Sequence, residues 1–326
     1  MASALILRLA CIWAGALASL AGSYAAERPY PSKPIRLVVP YPPGGSADPT
    51  GRAFGQWLSE RLGTTTVIDN RPGAGSVIGH GIGAKSAPDG YTLLVGSSAG
   101  LVVQPALGIK LSYDPIKDFT PIGLIVNVPF LLVVHPSVPA KSMQELIELG
   151  KAQPDKVIFG SPGTGTPNHL GMELMNSMTG AKFAHVPYKG GGPATVDLVA
   201  GRIQALFGSL PQWQPHLAAN RVRVLAVGHA KRIKAMPDVP AIAETLSGFN
   251  NSSWYAVVGP AGLPKAVVAK LAAETQAAVA SPAFIKQIEG IGLESAGSTS
   301  QELSDMIRSE MARWTKVIQS SGIKVD

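Results

Sequence analysis

Cysteine is almost missing from this chain: Cys11 is the single example in 326 residues. No intramolecular disulfide can form and no thiolate cluster can hold a metal, so stability must come from a packed core. His-Glu-x-x-His spacing is absent and the six histidines are dispersed, which removes the metal centres readable from sequence. Beyond residue 26, no apolar run approaches the roughly 18 residues that would cross a bilayer. Charged residues are sparse at 15%, and although Lys and Arg outnumber Asp and Glu by 28 to 21, they never gather into a basic run interleaved with aromatics. That argues against nucleic acid as a partner; dispersed positive charge suits a small anion.

The first residues set the compartment. Arg8 is the only charged side chain before Glu27, the stretch from Leu9 to Leu20 is nearly all apolar, and Ser23 and Ala25 stand at positions −3 and −1 of a cleavage site. This is the layout of a secretory signal peptide over residues 1–25, with Cys11 inside its apolar segment. Export to the periplasm is the expectation. Removing 25 residues from 326 leaves 301, enough for two domains.

Apolar runs bounded by Gly and Pro alternate with segments of helical spacing, the pattern of an α/β fold on a mostly parallel sheet. Ile35–Val39, Thr65–Ile68 and Tyr91–Val95 read as strands, with helices at Pro49–Leu62 and Val77–Lys85 between them. Phe119–Val126 and Phe130–Val134 read as two strands leading into a second doubly wound unit, and Ser253–Val258 as a strand that returns to the first. The expected arrangement is one lobe of residues 26–124 plus 253–326 and another of residues 125–252. Two crossings, near residues 124 and 253, would form a hinge beneath a ligand cleft.

Three glycine-rich loops follow strands and open helices. The first runs Pro40-Tyr41-Pro42-Pro43-Gly44-Gly45-Ser46-Ala47-Asp48, with Asp48 expected as the helix N-cap. The third, Gly160-Ser161-Pro162-Gly163-Thr164-Gly165-Thr166-Pro167-Asn168-His169, repeats its chemistry in the other lobe. Glycine lets backbone approach a ligand, and a helix start offers unpaired N–H groups with partial positive charge, which suits a carboxylate. The second loop, Asn70-Arg71-Pro72-Gly73-Ala74-Gly75-Ser76, lacks the glycine spacing and downstream acid of a dinucleotide site and reads as a tight turn, with Arg71 a candidate for an interlobe ion pair. Gly96-Ser97-Ser98-Ala99-Gly100 fits a nucleophile elbow and makes Ser98 a candidate nucleophile of a serine esterase, but no His-Gly-Gly-Gly-type oxyanion segment accompanies it. Ser97 and Ser98 read better as hydroxyls lining a cleft.

Read in order, these loops, with Tyr30-Pro31-Ser32-Lys33-Pro34-Ile35, Ala87-Pro88-Asp89-Gly90-Tyr91, Val186-Pro187-Tyr188-Lys189-Gly190 and Met236-Pro237-Asp238-Val239-Pro240, resemble the tripartite tricarboxylate transporter receptors, the Bug-type periplasmic solute-binding proteins. The resemblance implies a two-lobe periplasmic binding protein fold of type II and no catalysis, cofactor or metal. It implies a monomer that carries a small carboxylate (a di- or tricarboxylate or an aromatic acid) to integral-membrane transporter subunits. A ligand sensor for a membrane kinase would share the same binding physics. Carried over residue by residue, the carboxylate clamp comprises Tyr41, Pro43, Gly44, Gly45 and Ser46, facing Ser161, Gly163, Thr164, Gly165, Thr166 and His169. Ser97, Tyr188, Lys189 and Gly208 would lie nearer the far end of the ligand. Many relatives carry Asp where this chain has Gly208, a group able to meet a ligand ammonium, so the resemblance implies a ligand other than an amino acid.

Overall fold

The computed structural model describes residues 30–43 and 45–321. The expected leader with Cys11, and Gly44 of the first loop, lie outside the described residues.

Strands and helices follow the anticipated order. β1 (Ile35–Val39), β2 (Thr66–Asn70) and β3 (Thr92–Ser97) alternate with α1 (Ala47–Leu62) and α2 (Val77–Ala84). A π-helical turn over residues 99–103 leads on to β4 (Phe119–Val134). The second unit is α3 (Met143–Ala152), β5 (Ile158–Ser161), α4 (Pro167–Thr179), β6 (Ala184–Pro187), α5 (Gly191–Val199), β7 (Ala205–Ser209), α6 (Leu210–Ala218) and β8 (Arg223–Val227). β9 (Ser252–Pro260) returns to the first unit, followed by α7 (Lys265–Ala280), α8 (Pro282–Gly290), β10 (Glu294–Ser295) and α9 (Ser300–Ser321).

Three expectations are corrected. The two strands expected around residue 128 are one sixteen-residue strand, because Pro129 sits where β4 exchanges neighbours and not where it ends. Helix α6 lies where the sequence pattern shows none; Pro211 occupies its first turn, where a missing N–H costs nothing, while Pro215 is carried inside it. Asp48 does not cap α1. The helix begins at Ala47, and the Asp48 carboxylate accepts instead from Asn70 Nδ2 and Arg52 Nε, both at 3.0 Å.

The sheet order is β2-β1-β3-β9-β4-β7-β5-β6. β1 runs parallel to β2 and β3, and β5 parallel to β6 and β7, so each unit keeps its parallel core. Antiparallel β9 and β4 join them. β4 pairs with β9 through Pro129 and with β7 and β8 from Phe130 onward.

Both faces of this sheet are covered, and the period-2 alternation of the strands distributes the core. Leu37, Val39, Leu93, Val95, Tyr255 and Val257 belong to one buried cluster, while Val38, Leu94, Trp254, Ala256 and Val258, one residue out of phase, belong to another. The second cluster crosses between units: Leu170 of α4 belongs to it together with Leu303 and Ile307 of α9.

The first binding loop is held by close backbone packing. A Cβ on Gly79 of α2 would lie 2.7 Å from Pro40 Cα and 2.8 Å from the Arg71 carbonyl oxygen, so only glycine lets α2 touch the exits of β1 and β2. Gly79→Ala therefore forces backbone apart and is expected to cost about 1–3 kcal/mol, as overpacking does. Urea unfolding should show a lower midpoint at unchanged slope; an unchanged midpoint would mean the loops are not packed this way.

Candidate functional site

Register alone brings the ends of both parallel units to one place. Ser97 at the end of β3 is opposite Tyr255, which is opposite Val126 of β4. Ser209 at the end of β7 is opposite Phe130 of the same strand. Four residues of strand, about 13 Å, separate these marks, and the carboxyl ends of the two units run toward each other across them. Loops beyond strand carboxyl ends at such a switch of strand order are where open α/β sheets bind ligands.

In the first unit the loop is tied down by side-chain hydrogen bonds. Tyr41 donates its hydroxyl to Ser97 Oγ at 3.1 Å, and Asn70 Nδ2 donates to the Tyr41 carbonyl and to Asp48 at 3.0 Å each. Ser46 makes no capping bond; its hydroxyl pairs with that of Tyr255 at 2.9 Å. Burial raises the pKa of both tyrosines, so both hydroxyls stay protonated. Ser97 itself is fully enclosed: its amide donates to His80 Nε2 at 3.2 Å, and its hydroxyl, 3.5 Å from Ser76 Oγ, also receives the Gly100 amide. Ser97 thus braces Tyr41 from below. Pro43 and Gly45 are exposed at the rim.

The second unit uses glycine more openly. Gly163 and Gly165 adopt φ of 149° and 74°, conformations that side chains resist, and bend the chain from β5 into α4. Thr166 caps α4 by accepting the His169 amide, and its hydroxyl donates to the Gly163 carbonyl at 2.8 Å. The His169 ring turns back, its Nδ1 accepting the Gly165 amide at 3.1 Å. Ser161 Oγ lies 2.7 Å from His185 Nε2 and 2.9 Å from the Gly163 carbonyl, so its single hydrogen must choose between them. The rings of His185 and His169 stack at 3.9 Å, with Glu173 3.6 Å from His169 Nε2. Thr164 is half-exposed, its hydroxyl without a partner among the described residues.

The remaining expected residues flank this loop. The Tyr188 amide donates to the Ser161 carbonyl at 3.0 Å; its hydroxyl donates to Asp197, and burial with that carboxylate pushes its pKa up to about 12. Lys189 is exposed, with no acidic partner among the described residues. Gly208 is walled in: a Cβ there would stand 2.6 Å from Gln212 Oε1 and from the Trp213 ring. Arg71 pairs with Asp69 of its own unit at 2.8 Å and forms no interlobe bridge. Ser98 is buried, its hydroxyl 2.7 Å from that of Ser253, and among the described residues no histidine hydrogen-bonds to it.

Ser76, His80, His185, Thr195, Gln212 and Tyr255 also shape the site and escape the sequence reading. A lone serine or histidine in an apolar context carries no spacing signal, and α6 hides Gln212 entirely.

Residues 51–323 match the family described as "Tripartite tricarboxylate transporter family receptor". The chain belongs to this family. A protein of Pseudomonas sp. (strain P51), "UPF0065 protein in tcbD-tcbE intergenic region", is 38% identical to it over 93% of this chain and 91% of its own length. "Protein BugT" of Bordetella pertussis is 36% identical over 95% of each. Among solved structures, "R. palustris Rpa4515 with adipate" superposes with a TM-score of 0.84 at 35% identity, covering 90% of this chain and 99% of that one. "MatC (Rpa3494) from Rhodopseudomonas palustris with bound malate" does so at 0.78 and 29% identity, covering 89% and 100%. The receptor therefore has the two-lobe periplasmic binding fold.

Two histidines of this receptor carry a pH signature. Burial depresses His80 and His185 from 6.5 to about 4. Between those values the unfolded chain binds more protons than the folded one, so stability falls as pH drops from 6.5 toward 4 and is fully present above 6.5. The enclosed His80 alone should account for on the order of 3 kcal/mol across that window. Urea unfolding at pH 7 and pH 4.5 should show the loss, and His80→Asn should shrink it. An equal loss in the variant would remove His80 from the account.

Proposed function

We propose that this protein is a periplasmic receptor that captures a small organic carboxylate between its lobes and delivers it to integral-membrane transporter subunits without altering it. The observation that carries this reading is the approach of two helix entries, Tyr41–Pro43 with Gly45 and Ser46 into α1 and Ser161–Thr166 into α4, across the partner switch of β4. Each brings a helix start to that switch, and the Ser46–Tyr255 pair leaves one hydroxyl hydrogen unspent. A carboxylate is stabilised there by hydrogen bonds and helix dipoles, and without a fixed countercharge its release stays accessible. Adipate and malate in the two solved relatives support an acid as the ligand.

In this reading residues 1–25 are the export signal, residues 26–124 plus 253–326 form one lobe, and residues 125–252 form the other. Closure about β4 and the start of β9 then buries the ligand. The protein acts as a monomer, and Ser98 has no catalytic role.

A thermal-shift panel of organic acids tests the proposal. At one hundred times Kd, a ligand specific for the folded state adds about 2.7 kcal/mol, which for a chain of this size is a rise in Tm of about 4 °C. At least one di- or tricarboxylate or aromatic acid should produce it. Neutral sugars that raise Tm while every acid fails would overturn the ligand class.

A further inference from the structure

The wall beside the second-lobe loop contains a polar side chain that the clamp does not use. Register places Gly208 next to that loop, since Gly160 of β5 is opposite Leu206 of β7, and Asn168 Nδ2 donates to the Phe207 carbonyl at 2.7 Å. Immediately beyond, Gln212 in the first turn of α6 folds back over Gly208. Its Nε2 donates to Thr195 Oγ1 at 2.7 Å, and Thr195 in turn donates to the Gly191 carbonyl at 2.8 Å. This chain of bonds fixes the amide. One Nε2 hydrogen is spent on Thr195; the other, with the Oε1 lone pairs, remains free on a half-exposed side chain.

The space around it is open and poor in negative charge. A Cβ on Gly190 or Gly192 would meet nothing within 4 Å. Asp197, the nearby acid, is already held by the Tyr188 hydroxyl at 2.8 Å and by Arg202 at 2.7 Å, whereas Lys189 is exposed. Glycine at 208 is the condition for this arrangement, because any side chain there would take the place of the Gln212 amide.

We infer that Gln212, braced by Thr195 over Gly208, is a specificity-determining residue that meets the far end of the bound acid and favours a second carboxylate there. The inference rests on the proposed carboxylate-receptor function and deepens it. A distal carboxylate accepts the free Nε2 hydrogen in a neighbourhood that already leans positive. A distal ammonium would find a carbonyl oxygen but no countercharge, and would lose its hydration without return. A monocarboxylate would leave the amide unanswered.

Calorimetric titration of the full mature chain tests this with three probe sets: straight-chain dicarboxylates of four to six carbons, the monocarboxylates of equal length, and aspartate and glutamate. Wild type should prefer the dicarboxylates. Gln212→Ala and Gln212→Leu should lower the ratio of dicarboxylate to monocarboxylate affinity about tenfold. Gln212→Glu should penalise dicarboxylates further and narrow their advantage over the amino acids. If the first two variants fold poorly, the isosteric Gln212→Glu decides on the same ratios. Wild-type binding of dicarboxylates with ratios unmoved by these substitutions overturns the inference alone; a wild type that binds no acid overturns the function and the inference together.

Discussion

The molecule depends on one strand belonging to two sheets. β4 gives its first eleven residues to β9 and its last five to β7 and β8. Everything else follows from that sharing. Because β9 and β7 both run antiparallel to β4 but meet different parts of it, the parallel strands of the two units point their carboxyl ends at each other. The binding loops need no mutual contact to be aligned; the backbone ladder aligns them. Residues far from any ligand, such as Gly79 against Pro40, then decide how well each loop holds its end of that alignment.

Apart from the Asp48 carboxylate, which Asn70 and Arg52 hold, the chemistry presented at the meeting point is neutral. Tyr41, Ser46, Ser161 and Thr166 contribute hydroxyls already engaged with protein partners, and protonated tyrosines and uncharged histidines stand behind them. Protein partners hold these groups in place, and the hydrogens of Tyr41 and Thr166 are spent on Ser97 and on the Gly163 carbonyl. The net positive charge of the chain favours the approach of anions to its surface.

Much of this was legible in residue order. Apolar runs ending in Gly and Pro located nearly every strand of both units, and the paired glycine loops pointed to the site proposed above. Where legibility failed, a local rule yielded to a tertiary one. Pro129 looks like a strand break until the strand's change of neighbours is known. Asp48 looks like a cap until Asn70 arrives from β2 to claim it. Helix α6 looks like a loop because two prolines interrupt it, and Gln212, which reaches its partner seventeen residues back in sequence, went unseen with it. His185 acquires meaning only beside Ser161 on the adjacent strand, a pairing that no spacing in the chain announces.

Pro129 has one more implication. It is the last β4 residue opposite β9, and its nitrogen carries no hydrogen to give to any ladder. Flexure of the backbone at that residue therefore severs no bond made by its own amide. The resistance to opening moves outward to side-chain packing such as the cluster that holds Leu170, Leu303 and Ile307. The rate at which this receptor opens would then be tuned by the fit of a few leucines and isoleucines between helices, which substitution can alter by small steps while leaving the sheet and the anion-binding loops as they are.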